Sequence, residues 1–209
     1  MAVTNQIERA APPEDRAPDE LLARTRLAAR HAACAGDFAP TFRLPDVHGG
    51  NRALIDLIEQ GPLVLSFYRG VWCDFCDEAL ETLGRLDGKI RDLGAMHVAI
   101  GPGAGSDAER SRLKTFPMPV LADRGLKVTT SYGLSISLPD QLEERYASFG
   151  YGPIGTGDTG TWKISVPATY VIGMDGRIVM AVIDADYRHR MQPDHLMSAL
   201  RGLRHRRAR

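Results

Sequence analysis

The stretch that decides how this chain folds is Pro62-Leu-Val-Leu-Ser-Phe-Tyr-Arg-Gly-Val-Trp-Cys-Asp-Phe-Cys76. The apolar run Leu63–Phe67 predicts a strand that is buried on both faces. After Cys76, apolar side chains recur every three or four residues, which predicts a helix with one apolar stripe. These side chains are Leu80, Leu83, Leu86, Ile90 and Leu93. The stretch therefore predicts strand, loop and helix, with Cys73 at the entrance of the helix and Cys76 in its first turn.

Two cysteines at the start of a helix are typical of a redox pair. Unpaired backbone N–H groups and the helix dipole stabilise negative charge there, so the thiolate is favoured. The pKa of a cysteine in this setting falls below its ordinary value of about 8.5. A three-residue spacing also allows one sulfur to attack a mixed disulfide formed on the other. Trp72, directly before the pair, supports the redox interpretation.

Two cysteines at this spacing also occur in other kinds of site. A zinc site needs a second pair of ligands, but Cys34 is the only other cysteine and the six histidines are scattered along the chain. Two buried cysteines with a purely structural role are a further alternative. Haem attachment is excluded because Asp77, not a histidine, follows Cys76. We therefore expect a redox site that holds no metal and no cofactor.

The composition is that of an ordinary globular protein. The chain has 209 residues, of which 44% are hydrophobic and 25% charged, and its formal net charge is zero. We expect no nucleic-acid partner and no membrane partner. A net charge of zero gives no long-range electrostatic attraction to either, and no apolar run reaches about 20 residues. Without a secretory signal or a disulfide framework, the sequence favours a cytoplasmic protein.

Three regions follow from the pattern along the chain. Residues 1–35 predict an N-terminal extension with a helix that begins at Asp19. Cys34, near the end of that helix, is a candidate resolving thiol. Residues 36–203 predict the main domain, and the arginine-rich end, 204–209, predicts a solvated basic tail.

Two later segments add to the expected domain. Pro139–Phe149 predicts an inserted helix, and the glycine-rich stretch 150–161 predicts a mobile loop that acts as a lid over the thiols. The run Ile164–Gly173 and the run Arg177–Ile183 predict a hairpin joined by a Met-Asp-Gly turn. Pro167 cannot donate to a strand ladder, so it is expected at the edge or the end of its strand.

Together these segments resemble the thioredoxin fold and, within it, the alkyl hydroperoxide reductase/thiol-specific antioxidant (AhpC/TSA) family, the peroxiredoxins. The resemblance implies an α/β protein with a central mixed β-sheet flanked by helices. It also implies a thiol-dependent peroxidase with a hydroperoxide substrate and a thioredoxin-type dithiol reductant, and a homodimer is one expected assembly. The segments that carry the resemblance are Gly36–Asp46, Phe67–Cys76, Leu121–Asp123, Tyr132–Gly133 and Thr169–Asp175.

The match to the family's active-site signature is partial. The signature is a proline, three residues, a threonine or serine, two residues and the peroxidatic cysteine. Here Arg69 stands at the proline position, Cys73 at the threonine position and Cys76 at the peroxidatic position. The family's peroxide-activating arginine falls at Pro167, which instead resembles the cis-proline of thioredoxins. Arg69 is then the nearby cation that polarises a peroxide, and Asp74, between the sulfurs, opposes thiolate formation.

Three functional hypotheses follow. In the first, Cys76 attacks a peroxide and Cys73 condenses with the resulting sulfenic acid, while Trp72 shields the sulfurs from water. In the second, Cys73 is the nucleophile of thiol–disulfide exchange, and a cis bond between Val166 and Pro167 presents backbone groups to a substrate peptide. In the third, the pair is a non-catalytic redox sensor. The candidate substrate-positioning residues are Trp72, Val166, Pro167 and Thr169.

Overall fold

The computed structural model describes residues 19–148, 162–183 and 192–207. The predicted lid, 150–161, lies outside the described residues. The helices are α1 (Asp19–His31), α2 (Leu54–Ile58), α3 (Asp74–Arg85), α4 (Asp87–Asp92), α5 (Asp107–Leu113), α6 (Lys127–Ser131), α7 (Asp140–Ser148) and α8 (Pro193–Arg207). The strands are β1 (Arg43–Pro45), β2 (Asn51–Ala53), β3 (Leu63–Phe67), β4 (Met96–Gly101), β5 (Val120–Ala122), β6 (Ser135–Ser137), β7 (Lys163–Ser165), β8 (Ala168–Ile172) and β9 (Ile178–Ile183).

A five-stranded mixed sheet forms the centre of the fold, in the order β5-β4-β3-β8-β9. β4 runs parallel to β3, whereas β8 runs antiparallel to it. β3 is therefore the middle strand, and all five of its residues are buried, as its apolar run predicts. The predicted α/β fold with a mixed central sheet and flanking helices is confirmed.

Alternate residues of β3 point to opposite faces of the sheet. Phe67 belongs to one face, where its ring lies 4.9 Å from that of Tyr132 and 6.0 Å from that of Tyr170. We call this side the aromatic face. Val64 belongs to the other face, which packs in one apolar cluster with Leu83 of α3 and with α8. We call this second side the α3 face.

Two predicted helices end earlier than expected. The helix after Cys76 ends at Arg85 and a second one begins at Asp87, so the predicted stripe spans two helices, α3 and α4. Leu83 and Ile90 still pack in one cluster from either side of this break. The first helix ends at His31 rather than at Cys34, because the Ala33 N–H donates to the carbonyl of Tyr132 instead of to the helix.

The predicted strand Ile164–Gly173 is divided at Pro167. Its first part, β7, pairs with β6 in a separate two-stranded sheet, and its second part, β8, joins the central sheet. The division follows from the missing N–H of proline, which interrupts a ladder. The hairpin of β8 and β9 forms as predicted.

The remaining elements follow the sequence closely. The inserted helix is present as α7, within the predicted range. α8 continues to Arg207, so most of the segment 204–209 that was predicted as a tail is helical. Among the described residues, no helix combines the length and the apolar character needed to cross a membrane.

Candidate active site

The two cysteines lie at the N-terminus of α3, as predicted. Cys73 is the N-cap residue with extended backbone angles, φ −98° and ψ 102°, and Cys76 is in the first turn. The carbonyl of Cys73 accepts the N–H groups of Cys76 and Asp77 at 2.9 and 3.0 Å. Each cysteine is only 2% exposed, both are reduced, and their side chains are hydrogen-bonded to one another. The sulfurs are therefore close enough to form a disulfide.

A tight loop brings the chain from β3 to the cysteines. Gly70 has φ 154°, and a Cβ atom there would collide with the indole ring of Trp72. The Gly70 carbonyl also accepts the N–H of Cys73 at 3.2 Å. Only glycine fits this position, and the buried Trp72 closes the loop against the core. Trp72 is thus buried directly before Cys73, the N-cap residue of α3.

The environments of the two sulfurs differ. The backbone N–H of Arg69 donates to the sulfur of Cys76 at 3.4 Å. The pKa of the Cys73 thiol is raised, first by its hydrogen bond to Cys76, then by burial and by the charge of Cys76. Cys73 is therefore the thiol of the pair that retains its proton, and it donates a hydrogen bond towards the sulfur of Cys76. Asp74 is exposed, and it is Cys76 and burial that raise the pKa of Cys73.

Arg69 is a buried cation beside the pair. Its side chain is 3% exposed, and its charge lowers the pKa of Cys73 against the other influences. A guanidinium group that is removed from water acts on its neighbours more strongly than one at the surface. Arg69 thus lies where the sequence predicts a cation that acts on the active-site sulfurs.

A small pocket of about 20 Å³ lies beside Cys76. This volume accommodates a molecule of the size of water. Among the described residues, the lining includes Cys76 but not Cys73. The lining residues are Ser66, Phe67, Tyr68, Cys76, Ala79, Leu80, Leu83, Pro167, Ala168 and Thr169. Pro167 and Thr169, both predicted as substrate-positioning residues, are therefore next to Cys76.

The expectation for Val166 is corrected by the structure. The peptide bonds of the described residues are all trans, so the bond between Val166 and Pro167 is not cis. The N–H of Val166 donates to the carbonyl of Leu134 at 2.6 Å, and its side chain is buried. This N–H group is occupied within the protein and is not presented to a substrate peptide.

Cys34 is not brought to the pair. It is exposed, and both its N–H and its thiol bond to the carboxylate of Asp37, which raises the pKa of the thiol. The N–H of Gly36 donates to Ile178, which pairs with Ile172 at the end of β8. Cys76 lies near Ala168, at the opposite end of that strand. A five-residue strand spans about 13 Å, so Cys34 and Cys76 lie near opposite ends of the sheet.

The sequence analysis did not select Ser66 and His97. The hydroxyl of Ser66 lies 3.2 Å from Nε2 of His97, and both side chains are buried. Burial lowers the pKa of His97 to about 4, so the imidazole is neutral near pH 7. Two polar residues within the apolar strands β3 and β4 were the available signal, because a buried polar side chain requires a hydrogen-bonding partner.

Two thiols at a helix start beside a thioredoxin-type sheet define a thiol-dependent oxidoreductase. The AhpC/TSA family matches residues 35–181, and the chain belongs to this family. It is an oxidoreductase of the peroxiredoxin type, a thiol-dependent peroxidase. The predicted family and the predicted enzyme class are confirmed.

Known relatives agree with this assignment. "Putative peroxiredoxin Rv1608c" of Mycobacterium tuberculosis H37Rv is 25% identical over 170 residues, which are 81% of this chain and 97% of the relative. The crystal structure of peroxidoxin BcpB from Mycobacterium tuberculosis superposes with a TM-score of 0.63 at 22% identity, covering 82% of this chain and 98% of that one. Xanthomonas campestris peroxiredoxin Q superposes with a TM-score of 0.60 at 14% identity, covering 81% of this chain and 99% of that one. These two structures show the shared fold.

Proposed function

We propose that this protein reduces small hydroperoxides with Cys76 as the peroxidatic thiol and Cys73 as the resolving thiol. The observation that carries the proposal is the asymmetry of the pair. The sulfur of Cys76 accepts the N–H of Arg69 and lines the pocket, whereas the raised pKa of Cys73 keeps that residue protonated. The sulfur that bears the charge is thus the one that meets the substrate.

The reaction has two chemical steps before reduction. The Cys76 sulfur attacks one peroxide oxygen, the O–O bond breaks, and the second oxygen leaves as an alcohol or water after gaining a proton. The thiol of Cys73 then condenses with the Cys76 sulfenic acid, which forms the disulfide and releases water. An external dithiol protein of the thioredoxin type then reduces the disulfide by thiol–disulfide exchange, which restores both thiols and leaves the external protein with a disulfide.

The size of the pocket favours small peroxides. A volume of about 20 Å³ accepts hydrogen peroxide more readily than a lipid hydroperoxide, unless the alkyl group remains outside. The buried guanidinium of Arg69 supports the reaction, because a fixed positive charge stabilises the negative charge that develops during peroxide cleavage. A homodimer stays a prediction.

Thiol–disulfide exchange with Cys73 as the attacking thiol is less well supported. An attacking thiol needs thiolate character and access to a protein substrate. Cys73 is 2% exposed and its pKa is raised, and the N–H of Val166 is already bonded to Leu134. A redox-sensing role would use the same disulfide, but it does not account for a pocket at only one of the two sulfurs.

Single-turnover kinetics of three cysteine variants test the proposal. In Cys76→Ser the rate constant for reaction with hydrogen peroxide is expected to fall by roughly 100-fold or more, because the attacking sulfur is lost. In Cys73→Ser the first oxidation is expected to persist, but the protein stops at a Cys76 sulfenic acid that a dimedone probe captures. Cys34→Ser is the matched control, and its rate is expected to equal that of the unaltered protein.

The opposite pattern contradicts the assignment. If Cys76→Ser consumes peroxide at the original rate and Cys73→Ser does not, then Cys73 is the peroxidatic thiol. If neither variant loses peroxide consumption, the pair does not carry out the reaction at all.

A further inference from the structure

Ser66 and His97 form a polar pair on the α3 face of the central sheet. Val64 lies opposite His97 in the ladder between β3 and β4, and Thr169 lies opposite Ser66 in the ladder between β3 and β8. Residues that are paired across strands share a face. The three polar side chains therefore lie on the face that Val64 shares with α3, where β-strands normally carry aliphatic residues.

The hydrogen bond between Ser66 and His97 has a preferred direction. Within the described part of the chain, Nδ1 of His97 is buried without a hydrogen-bond partner, while Nε2 lies 3.2 Å from the Ser66 hydroxyl. A buried N–H without an acceptor is rarer in proteins than a buried acceptor that lacks a donor. The favoured tautomer therefore carries its proton on Nε2 and donates it to the oxygen of Ser66.

This direction leaves the proton of the Ser66 hydroxyl available. Ser66 lines the same pocket as Cys76, and it is 3% exposed. Since its oxygen accepts from His97, its own O–H is available to donate to a molecule in the pocket. Because burial lowers the pKa of His97 to about 4, the imidazole stays neutral and keeps this arrangement near pH 7.

We propose that the Ser66 hydroxyl, oriented by His97, donates a hydrogen bond to the peroxide oxygen that departs when Cys76 attacks. This inference rests on the proposed peroxidase function and adds a residue to its site. As the S–O bond forms and the O–O bond breaks, the electron pair of the O–O bond passes to the departing oxygen. A fixed donor in a dry pocket stabilises that charge.

The proton balance needs no further reactant. The Cys76 thiolate and the hydroperoxide give a sulfenate and an alcohol, because the proton of the attacked oxygen passes to the departing oxygen. The sulfenate then takes up from solvent the proton that the Cys76 thiol had released, which gives the sulfenic acid. Ser66 keeps its proton and contributes only the hydrogen bond. His97 does not touch the substrate and acts as a positioning residue.

The test compares two reactions of Cys76 in each variant. One is oxidation by hydrogen peroxide, and the other is alkylation by iodoacetamide, measured at Cys76 by peptide mass spectrometry. Both reactions need the thiolate, so their ratio removes any change in thiolate content. In Ser66→Ala we expect the peroxide rate constant to fall by about tenfold, the effect of one lost hydrogen bond, with alkylation changed by less than about twofold.

Two further pairs of variants exclude a structural effect. Ser165→Ala removes a hydroxyl from another buried serine, in β7, and is expected to leave the ratio of the two rates unchanged. His97→Gln retains an N–H that reaches Ser66 and is expected to preserve most of the peroxide rate. His97→Met has no such N–H, and its peroxide rate is expected to fall as far as that of Ser66→Ala.

The outcomes separate this inference from the proposed function. If Cys76 of the unaltered protein reacts with hydrogen peroxide no faster than free cysteine does, the peroxidase proposal itself fails. If the ratio is high and Ser66→Ala keeps it, the peroxidase proposal stands and the role of Ser66 is refuted. Equal losses in Ser66→Ala and Ser165→Ala also refute it.

Discussion

The two faces of β3 show how one strand serves two purposes. On the aromatic face, Phe67 packs against the rings of Tyr132 and Tyr170. On the α3 face, Ser66 and Thr169 border a pocket that reaches Cys76. Neighbouring residues of a single buried strand thus have different roles, and burial alone does not distinguish a core residue from a site residue.

The difference follows from what each face contacts. Close packing of aromatic rings stabilises the fold. On the other face, polar side chains border a small pocket and make a directed hydrogen bond. Buried polar groups of this kind lower the stability of the fold, and here they are available for the proposed reaction. We therefore expect substitutions on the aromatic face to change the stability of the fold, and substitutions on the α3 face to change the rate of reaction with peroxide.

Truncation of adjacent residues gives the largest contrast. Leu65→Ala, on the aromatic side, is expected to lower the free energy of unfolding by about 3 kcal/mol or more, because it leaves a cavity in a fully buried position. Its neighbour Ser66→Ala is expected to cost about 1 kcal/mol. Urea unfolding measures both, and the comparison fails if Ser66→Ala proves the more destabilising of the two.

The buried imidazole of His97 gives the next largest effect. Its pKa in the folded protein is about 4, whereas an unfolded histidine titrates near about 6.5. Between these values the unfolded chain binds more protons, so stability is lost as the pH falls through this range and regained as it rises. The loss amounts to about 3 kcal/mol when complete, since each pKa unit corresponds to about 1.4 kcal/mol.

His97→Gln isolates this contribution. Denaturant unfolding of both proteins at several pH values between about 4 and 7 gives the difference in their pH dependence. The unaltered protein is expected to lose more stability on acidification than the variant. Parallel curves for the two proteins would show that His97 is protonated as easily in the folded state as in the unfolded one.

Substitution of Arg69 measures how much its buried positive charge contributes to the rate of reaction with peroxide. Arg69→Gln is expected to slow the reaction of Cys76 with hydrogen peroxide by about tenfold to 100-fold, because the buried positive charge is lost. Arg69→Lys keeps the charge and is the control, with a smaller expected loss. Stopped-flow oxidation of the folded variants provides the rates, and an unchanged rate in Arg69→Gln would remove Arg69 from the mechanism.

The smallest effect is expected on the outer side of α3. Arg112 joins Asp77 at 2.9 Å and Glu81 at 2.6 Å, which connects α5 to the active-site helix. These ion pairs are partly exposed, so Arg112→Ala is expected to cost only about 0.5–1 kcal/mol, and less at high salt. Denaturant unfolding at low and high salt measures the change in the free energy of unfolding. A loss above about 2 kcal/mol would contradict the description of these contacts as partly exposed, weak ion pairs.

The sequence was most informative where the pattern is local. β3 was predicted at its observed bounds, because five consecutive apolar or small residues with turn signals on either side have few alternative structures. Cys73 and Cys76 were placed correctly at the start of α3 for the same reason. Ser106 accepts the N–H of Glu109 at the start of α5, and a serine three residues before a glutamate is likewise a local pattern.

Long-range features do not follow from a local pattern. Pro167 lies in a trans bond between two sheets, an arrangement that depends on the pairing of β6 with β7 and not on residues beside the proline. The contact of Ser66 with His97 joins residues 31 positions apart through the register of β3 and β4. The distance of Cys34 from the pair likewise depends on which end of the sheet its loop contacts.

Thiol counting and disulfide mapping after one equivalent of hydrogen peroxide test whether Cys73 and Cys76 form the redox pair. We predict that two thiols disappear for each peroxide consumed, that the peptides containing Cys73 and Cys76 are joined by a disulfide, and that Cys34 keeps its thiol. A disulfide that contains Cys34, or a protein that loses no thiols while peroxide is consumed, would contradict this prediction.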